Sequence, residues 1–216
     1  MSMHRGTSVP SLPLFALLAL LPVGCASWLS RVDSATPIPG GGIKVEDGAG
    51  ETLFELEPDG SDIDLESPAG RVGTYRVVGD RIEFHGVDGA EYEFARSDGS
   101  AWTVEVRSGE QTRIKIGQEP DGDFRVDDAG GQERWKIKKR DYGYKVVSSV
   151  TTREWKVRVK SDKASVRDDT DTTILSTDDT TSGPFMACLS LASDPATASL
   201  PLRAGLALAT AVWPIR

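Results

Sequence analysis

Histidine and cysteine are nearly absent from this 216-residue chain, with two of each. Two cysteines cannot build a disulfide framework, and two histidines without a CxxC pair leave a His- or Cys-ligated zinc site short of ligands. His4 lies among the first ten residues, so a Ser–His–Asp or Cys–His centre further on would have to use His85. That residue precedes Gly86 at a strand end and reads as a surface position. No Gly-rich phosphate loop follows a strand and opens a helix, and Gly40-Gly41-Gly42 belongs to a linker. Apolar runs stop short of the roughly 20 residues a bilayer span needs. Positive charge is also in deficit: 25 Lys and Arg stand against 33 Asp and Glu, for a net −8. Such a chain has no global attraction for nucleic acid. Apolar residues reach 38%, which suits one ordinary domain or two small ones.

What is present begins with an export tag. Residues 11–23 form an uncharged apolar run of 13, the length of a secretory h-region. It ends in Leu21-Pro22-Val23-Gly24-Cys25. A small residue before a cysteine, directly after the apolar run, resembles the lipobox of a bacterial lipoprotein signal, with Pro22 where that pattern prefers Leu. The resemblance implies that residues 1–24 are removed and that Cys25 becomes the lipid-bearing first residue. Ala26 in place of an Asp after the cysteine implies an outer-membrane anchor facing the periplasm. Ordinary cleavage after Ala26 is the alternative. Cys188 lies in an apolar stretch and reads as a small buried hydrophobe.

Residues 25–42 read as a Pro/Gly-rich flexible linker. From residue 43 to 179 the chain repeats with a period of about 20. A first apolar anchor recurs at Ile43, Ile63, Ile82, Trp102, Phe124, Tyr144 and Ala164. A second follows within each unit at Phe54, Tyr75, Tyr92, Ile114, Trp135, Trp155 and Ile174. Turn formers such as Asp88-Gly89 and Pro58-Asp59-Gly60 separate them, because Gly supplies the positive φ a tight reversal needs. Seven two-strand units in register predict a repeat architecture of about 14 short strands. Within strands the faces alternate: Trp155, Val157 and Val159 oppose Glu154, Lys156, Arg158 and Lys160. One face is apolar and one charged, as in an antiparallel sheet wetted on one side. Strands of five to seven residues fall short of the 9–11 that cross an outer membrane, so the expectation is attachment rather than spanning. The mature chain resembles lipoproteins built from short β-hairpin repeats, and more faintly the hairpin repeats of choline-binding modules. Neither resemblance brings an activity with it.

Residues 180–216 change period. Residues 184–193 and 200–213 read as two helices broken at Asp194-Pro195, with Ser199 placed to cap the second and Pro201 in its first turn. The second is apolar nearly all round, with Arg203 its lone charge, so it must be buried. The expected architecture is therefore all-β: tandem antiparallel β-hairpin repeats, curled as a meander or wound as a solenoid, with a C-terminal helical hairpin as a cap.

Chemistry is sparse. Asp59, Asp62 and Asp64, and Asp168, Asp169 and Asp171, offer oxygens, yet neither group matches a calcium loop, and both read as turn solvation. Charge is more informative. Residues 43–100 hold 5 basic and 15 acidic side chains, whereas residues 123–162 hold 11 and 7. Stacked repeats would then be acidic at one end and basic towards the other. Arg134, Lys136, Lys138, Lys156, Arg158 and Lys160 form the candidate partner-binding face. Trp135 points the other way, so this is no stacking platform for nucleic acid. The resulting expectation is a lipid-anchored, non-enzymatic envelope protein without cofactor or metal. It would act as a binding or scaffold module for an anionic envelope polymer or a protein partner. The alternatives are a cell-wall polymer hydrolase or transferase using carboxylates in a cleft, and a purely structural spacer.

Overall fold

Seven hairpins follow one another, as the repeat predicts. The computed structural model describes residues 42–97, 102–161, 163–178, 183–193 and 197–213. The signal segment, Cys25 and almost all of the linker lie outside the described residues. The hairpins are β1 (Ile43–Asp47) with β2 (Thr52–Asp59), β3 (Asp62–Ser67) with β4 (Gly70–Val78), and β5 (Arg81–Gly86) with β6 (Glu91–Arg96). Then come β7 (Thr103–Ser108) with β8 (Gln111–Gln118), and β9 (Phe124–Asp128) with β10 (Glu133–Arg140). The last are β11 (Gly143–Ser148) with β12 (Glu154–Val159), and β13 (Ala164–Arg167) with β14 (Thr173–Thr177). Strand lengths run from four residues in β13 to nine in β4.

The sheet closes. Every strand pairs antiparallel with its sequence neighbours, and β1 pairs with β14 through Glu46 opposite Ser176 and Asp47 opposite Leu175. This is an up-and-down barrel: the sheet closes on itself instead of remaining a curled meander or winding as a solenoid. Hairpins alternate strand direction, so seven of them bring a first and a last strand that run antiparallel and can hydrogen-bond. Closure removes both edges, each of which would otherwise present unpaired backbone groups. Beside the seam the backbones approach closely. A β-carbon on Gly48 would run into the carbonyl oxygen of Thr173, so the close approach itself requires glycine there.

All fourteen repeat anchors point into this enclosure. Eleven are buried, and Tyr92, Tyr144 and Ile174 are half-buried against the same core. Val159 departs from the alternation reading: it ends β12 at the barrel rim and is 38% exposed. The outward positions are charged on almost every strand. That is the reverse of a lipid-facing barrel, whose outside carries an apolar band. Among the described residues no helix is long and apolar enough to cross a membrane.

The two helices do not cap an end; they fill the middle. Helix α1 (Gly183–Leu189) is buried at every residue and packs on β11, β12 and β13. A short 3₁₀ turn, Leu191–Ser193, leads towards α2 (Leu200–Val212), which packs on α1 and on β4 to β7. Those two groups of strands lie almost diametrically opposite in the strand order, and one buried cluster joins all strands with both helices. Dimensions explain why. At the usual strand spacing and tilt, fourteen strands enclose a cylinder about 28 Å across. Inward side chains from both walls leave about 18 Å, close to two helices side by side. An eight-stranded barrel fills itself with side chains; this one needs an insert.

Specific bonds hold the insert. Tyr75 Oη donates to the carbonyl of Pro201 at 2.5 Å, and Trp102 Nε1 donates to the carbonyl of Trp213 at 3.0 Å. Both ends of α2 are thereby tied to the wall. Ser199 occupies the N-cap position but its side chain makes no capping bond, contrary to the sequence expectation. Phe94 lies against Gly205, where a β-carbon would enter its ring. In an exposed helix Gly→Ala is a gain of about 1 kcal/mol, whereas overpacking a core costs about 1–3 kcal/mol. We therefore expect Gly205→Ala to lower stability in denaturant titrations; a stabilised variant would show that α2 does not press on the barrel wall.

Candidate functional site

Register places the outward charges in rows around the barrel. Residues directly opposite on neighbouring strands bring their side chains within about 5 Å, so unlike charges attract and like charges repel. Several stretches of row alternate in sign. Asp62, Arg76 and Glu83 face one another in turn across β3, β4 and β5. Glu105, Lys115 and Asp127 do the same across β7, β8 and β9. Glu105 collects Thr112 Oγ1 at 2.7 Å, Lys115 Nζ at 3.0 Å and Arg107 Nε at 3.0 Å. These donors, Thr112 first, hold its carboxyl down at about 2.

One row is cationic over four successive strands. Lys138 lies opposite Lys145, Lys145 opposite Lys156, and Lys156 opposite Arg167. Four cations thus stand in line across β10, β11, β12 and β13. Two have acidic neighbours: Lys145 meets Glu154 at 2.7 Å and Arg167 meets Asp171 at 3.2 Å. Among the described residues, Lys138 and Lys156 form no ion pair. The next row towards the barrel end adds Arg140 and Arg158, with Gly143 between them.

The six candidate residues divide on this map. Lys138 and Lys156 belong to the row. Arg158 flanks it and is held by Asp171 at 3.0 Å. Lys136 lies one row away, bonded to Glu119 at 2.8 Å, and that bond holds its ammonium above the ordinary lysine value. Arg134 sits at a bulge beside Glu133, its guanidinium 3.9 Å from Asp128. Lys160 is exposed just beyond β12, where its backbone turns to Lys163. Sequence reading missed Lys145 and Arg167. Alternation around Tyr144 and Val146 already pointed Lys145 outward, but which lysines face each other is a matter of register.

The acidic surplus sits on β2 and β3, where Glu55 faces Glu66, Glu57 faces Asp64 and Asp59 faces Asp62. Arginines on β4 relieve it: Arg71 meets Asp64 at 2.5 Å and Arg76 clasps Asp62 at 2.9 and 2.7 Å. Glu57 keeps a carboxyl raised above its ordinary value by loss of solvent and then by Glu55. It is exposed on an outward strand rather than set in a cleft. Because the first repeat pairs with the last, the charge imbalance runs around the circumference and not from end to end, which corrects the stacked-repeat expectation.

The aspartate groups act locally. Asp168 Oδ1 accepts from Thr170 N at 3.0 Å and Thr172 N at 2.9 Å, shaping its own turn. Glu119, Asp121 and Asp123 bring carboxylate oxygens within 4.8 Å of one another. That grouping is already served by Lys136 on Glu119 and by the Lys139 backbone N–H on Asp123 at 2.7 Å. His85 is exposed at the end of β5, its Nδ1 3.7 Å from Glu91. Cys188 is fully buried in α1, and burial pushes its thiol up to about 12. It is therefore protonated and unreactive at neutral pH.

No family model, curated protein or solved structure matches this chain.

Glu105 gives a pH test of the outward rows. Its folded carboxyl titrates near 2 against an ordinary 4.5, so the stability it contributes is present above about 4.5 and is lost as the pH falls towards 2. The urea midpoint of Glu105→Gln should depend less on pH across that window than that of the parent chain. Identical acid limbs would mean that the cluster around Glu105 does not form in solution.

Proposed function

We propose that this chain is a non-enzymatic, lipid-anchored module of the bacterial cell envelope. Cys25 carries the anchor, holding the barrel at the outer membrane on its periplasmic side. The barrel acts as a binding or scaffold module, and its outward face over β10 to β13 takes an anionic envelope polymer.

The observation that carries this reading is the row Lys138, Lys145, Lys156 and Arg167. Folding alone disfavours it, since each like-charged facing pair costs on the order of 0.2–1 kcal/mol where an opposite charge would contribute about as much. Like acids also face one another across β2 and β3, where arginines on β4 relieve them, whereas Lys138 and Lys156 have no such partner among the described residues. A row of cations spaced by one strand, about 4.8 Å apart, offers a repeating polyanion several contacts at once. The enclosed, helix-filled interior leaves the outside of the sheet as the broad surface for a macromolecule.

Two outcomes test it. The double substitution Lys138→Glu and Lys156→Glu should abolish salt-sensitive co-sedimentation with envelope polymer while leaving the melting temperature unchanged or higher. Undiminished binding would remove the basic row from function, and retention of a co-purified protein instead of polymer would make that protein the partner. Separately, Cys25→Ser should end incorporation of labelled palmitate and release the chain from the membrane fraction. Continued membrane association would exclude the lipid anchor.

A further inference from the structure

The helical insert does not fill the barrel completely. At the end of the barrel that carries the within-hairpin turns, beside β12 and β14, a half-open cleft of about 700 Å³ remains. Trp155, Ile174 and Leu175 line it from the barrel, Leu189 lines it from the end of α1, and Leu53 stands 38% exposed among them. This is the size of a small-molecule site, and the mouth of a β-barrel is a place where such sites recur.

One charge looks into it from the insert. Arg203 is half-buried near the start of α2 and lines the cleft. Its Nη1 donates to the carbonyl of Leu189 at 2.5 Å, closing the end of α1. Its Nε–H is buried with no acceptor among the described residues. Burial pulls this guanidinium below the ordinary arginine value, and no described carboxylate pairs with it. A desolvated cation with a spare donor is costly unless an anion or acceptor completes it.

The other charged groups lining the cleft, Arg153, Glu154, Asp168 and Asp169, are engaged elsewhere or exposed. Glu154 is paired with Lys145 at 2.7 Å, and Asp168 is engaged by the backbone of its own turn. Asp169 and Arg153 are exposed. Trp155 in turn packs at a tilt of 44° against Trp135, ring centroids 5.1 Å apart, whose buried Nε1–H also lacks an acceptor among the described residues. An apolar stretch of lining, Trp155, Ile174, Leu175 and Leu189, together with the one cation left without a carboxylate suits an amphiphile.

We propose that this cleft binds a single-chain amphiphile with a carboxylate head. The acyl chain lies against Trp155, Ile174 and Leu175, and the head accepts hydrogen bonds from Arg203. This site is separate from the outward basic row and does not depend on it.

The test uses the full chain carrying Cys25→Ser, prepared without detergent, with dodecanoate, dodecanol and dodecyltrimethylammonium followed by calorimetry. Dodecanoate should bind once per chain, about tenfold or more tighter than the ammonium amphiphile. 12-Bromododecanoate should quench tryptophan emission, and Trp155→Phe should remove most of that quenching. Arg203→Gln should weaken dodecanoate about tenfold while leaving dodecanol unchanged. Because Arg203 also holds the end of α1, Ala192→Trp, at an exposed position on the cleft lining, provides a second variant that blocks the mouth and should abolish binding. Equal affinity for the anionic and cationic amphiphiles, no binding at all, or full quenching and affinity in Trp155→Phe and Ala192→Trp would overturn the proposal.

Discussion

The structure depends on one geometric constraint: a closed sheet of fourteen strands is too wide to be filled by its own side chains. Closing the sheet removes two exposed edges, and that gain is available only if the enclosed space is dry and packed. Helices α1 and α2 meet the requirement. They lie side by side across the lumen, and the wall is shaped to receive them: Phe94 fits against the bare backbone of Gly205, and Tyr75 and Trp102 tie the two ends of α2. The near-continuous apolar character of α2 follows from its place, since every side of it meets either the wall or α1.

Filling the inside with hydrocarbon leaves Arg203 on α2 as an inner exception and puts the strands' charges on the outside, so the barrel's surface chemistry is written on a single convex sheet. There, each strand contributes alternate residues, and the register of hydrogen bonds decides which charges meet. Rows such as Glu105, Lys115 and Asp127 use that geometry for attraction. The β2–β3 pair concentrates acids and then borrows arginines from β4. Only the β10–β13 row lines up four cations in succession among the described residues, with no carboxylate at Lys138 or Lys156. The same constraint leaves the cleft at the turn-side mouth, where two cylinders cannot completely fill a round bore.

Much of this was legible in the sequence. The period of about 20 located seven hairpins, and each of the fourteen anchors lies buried or half-buried in the core. Alternation put Trp135 and Trp155 inside and Lys136, Lys138, Lys156 and Arg158 outside. Both helices were placed to within a few residues. Other features were not legible. The cap reading of the helices failed because burial of an apolar helix says nothing about what it is buried against. Lys145 and Arg167 escaped notice because each is a lone cation within its own strand, and they become part of a row only through their neighbours.

Local rules therefore determined the count of strands, their turns and their faces: these depend on spacing by two residues and on glycines and prolines at reversals, all within a single unit. Tertiary structure alone decided that the sheet closes, that the helices go inside, and which charges stand opposite one another. Those outcomes rest on the pairing of β1 with β14, on contacts between the C-terminal helices and strands more than a hundred residues earlier, and on hydrogen-bond register. Backbone pairing is the same for any sequence, so a two-residue shift between strands would rearrange the outward rows while keeping every apolar side chain inside.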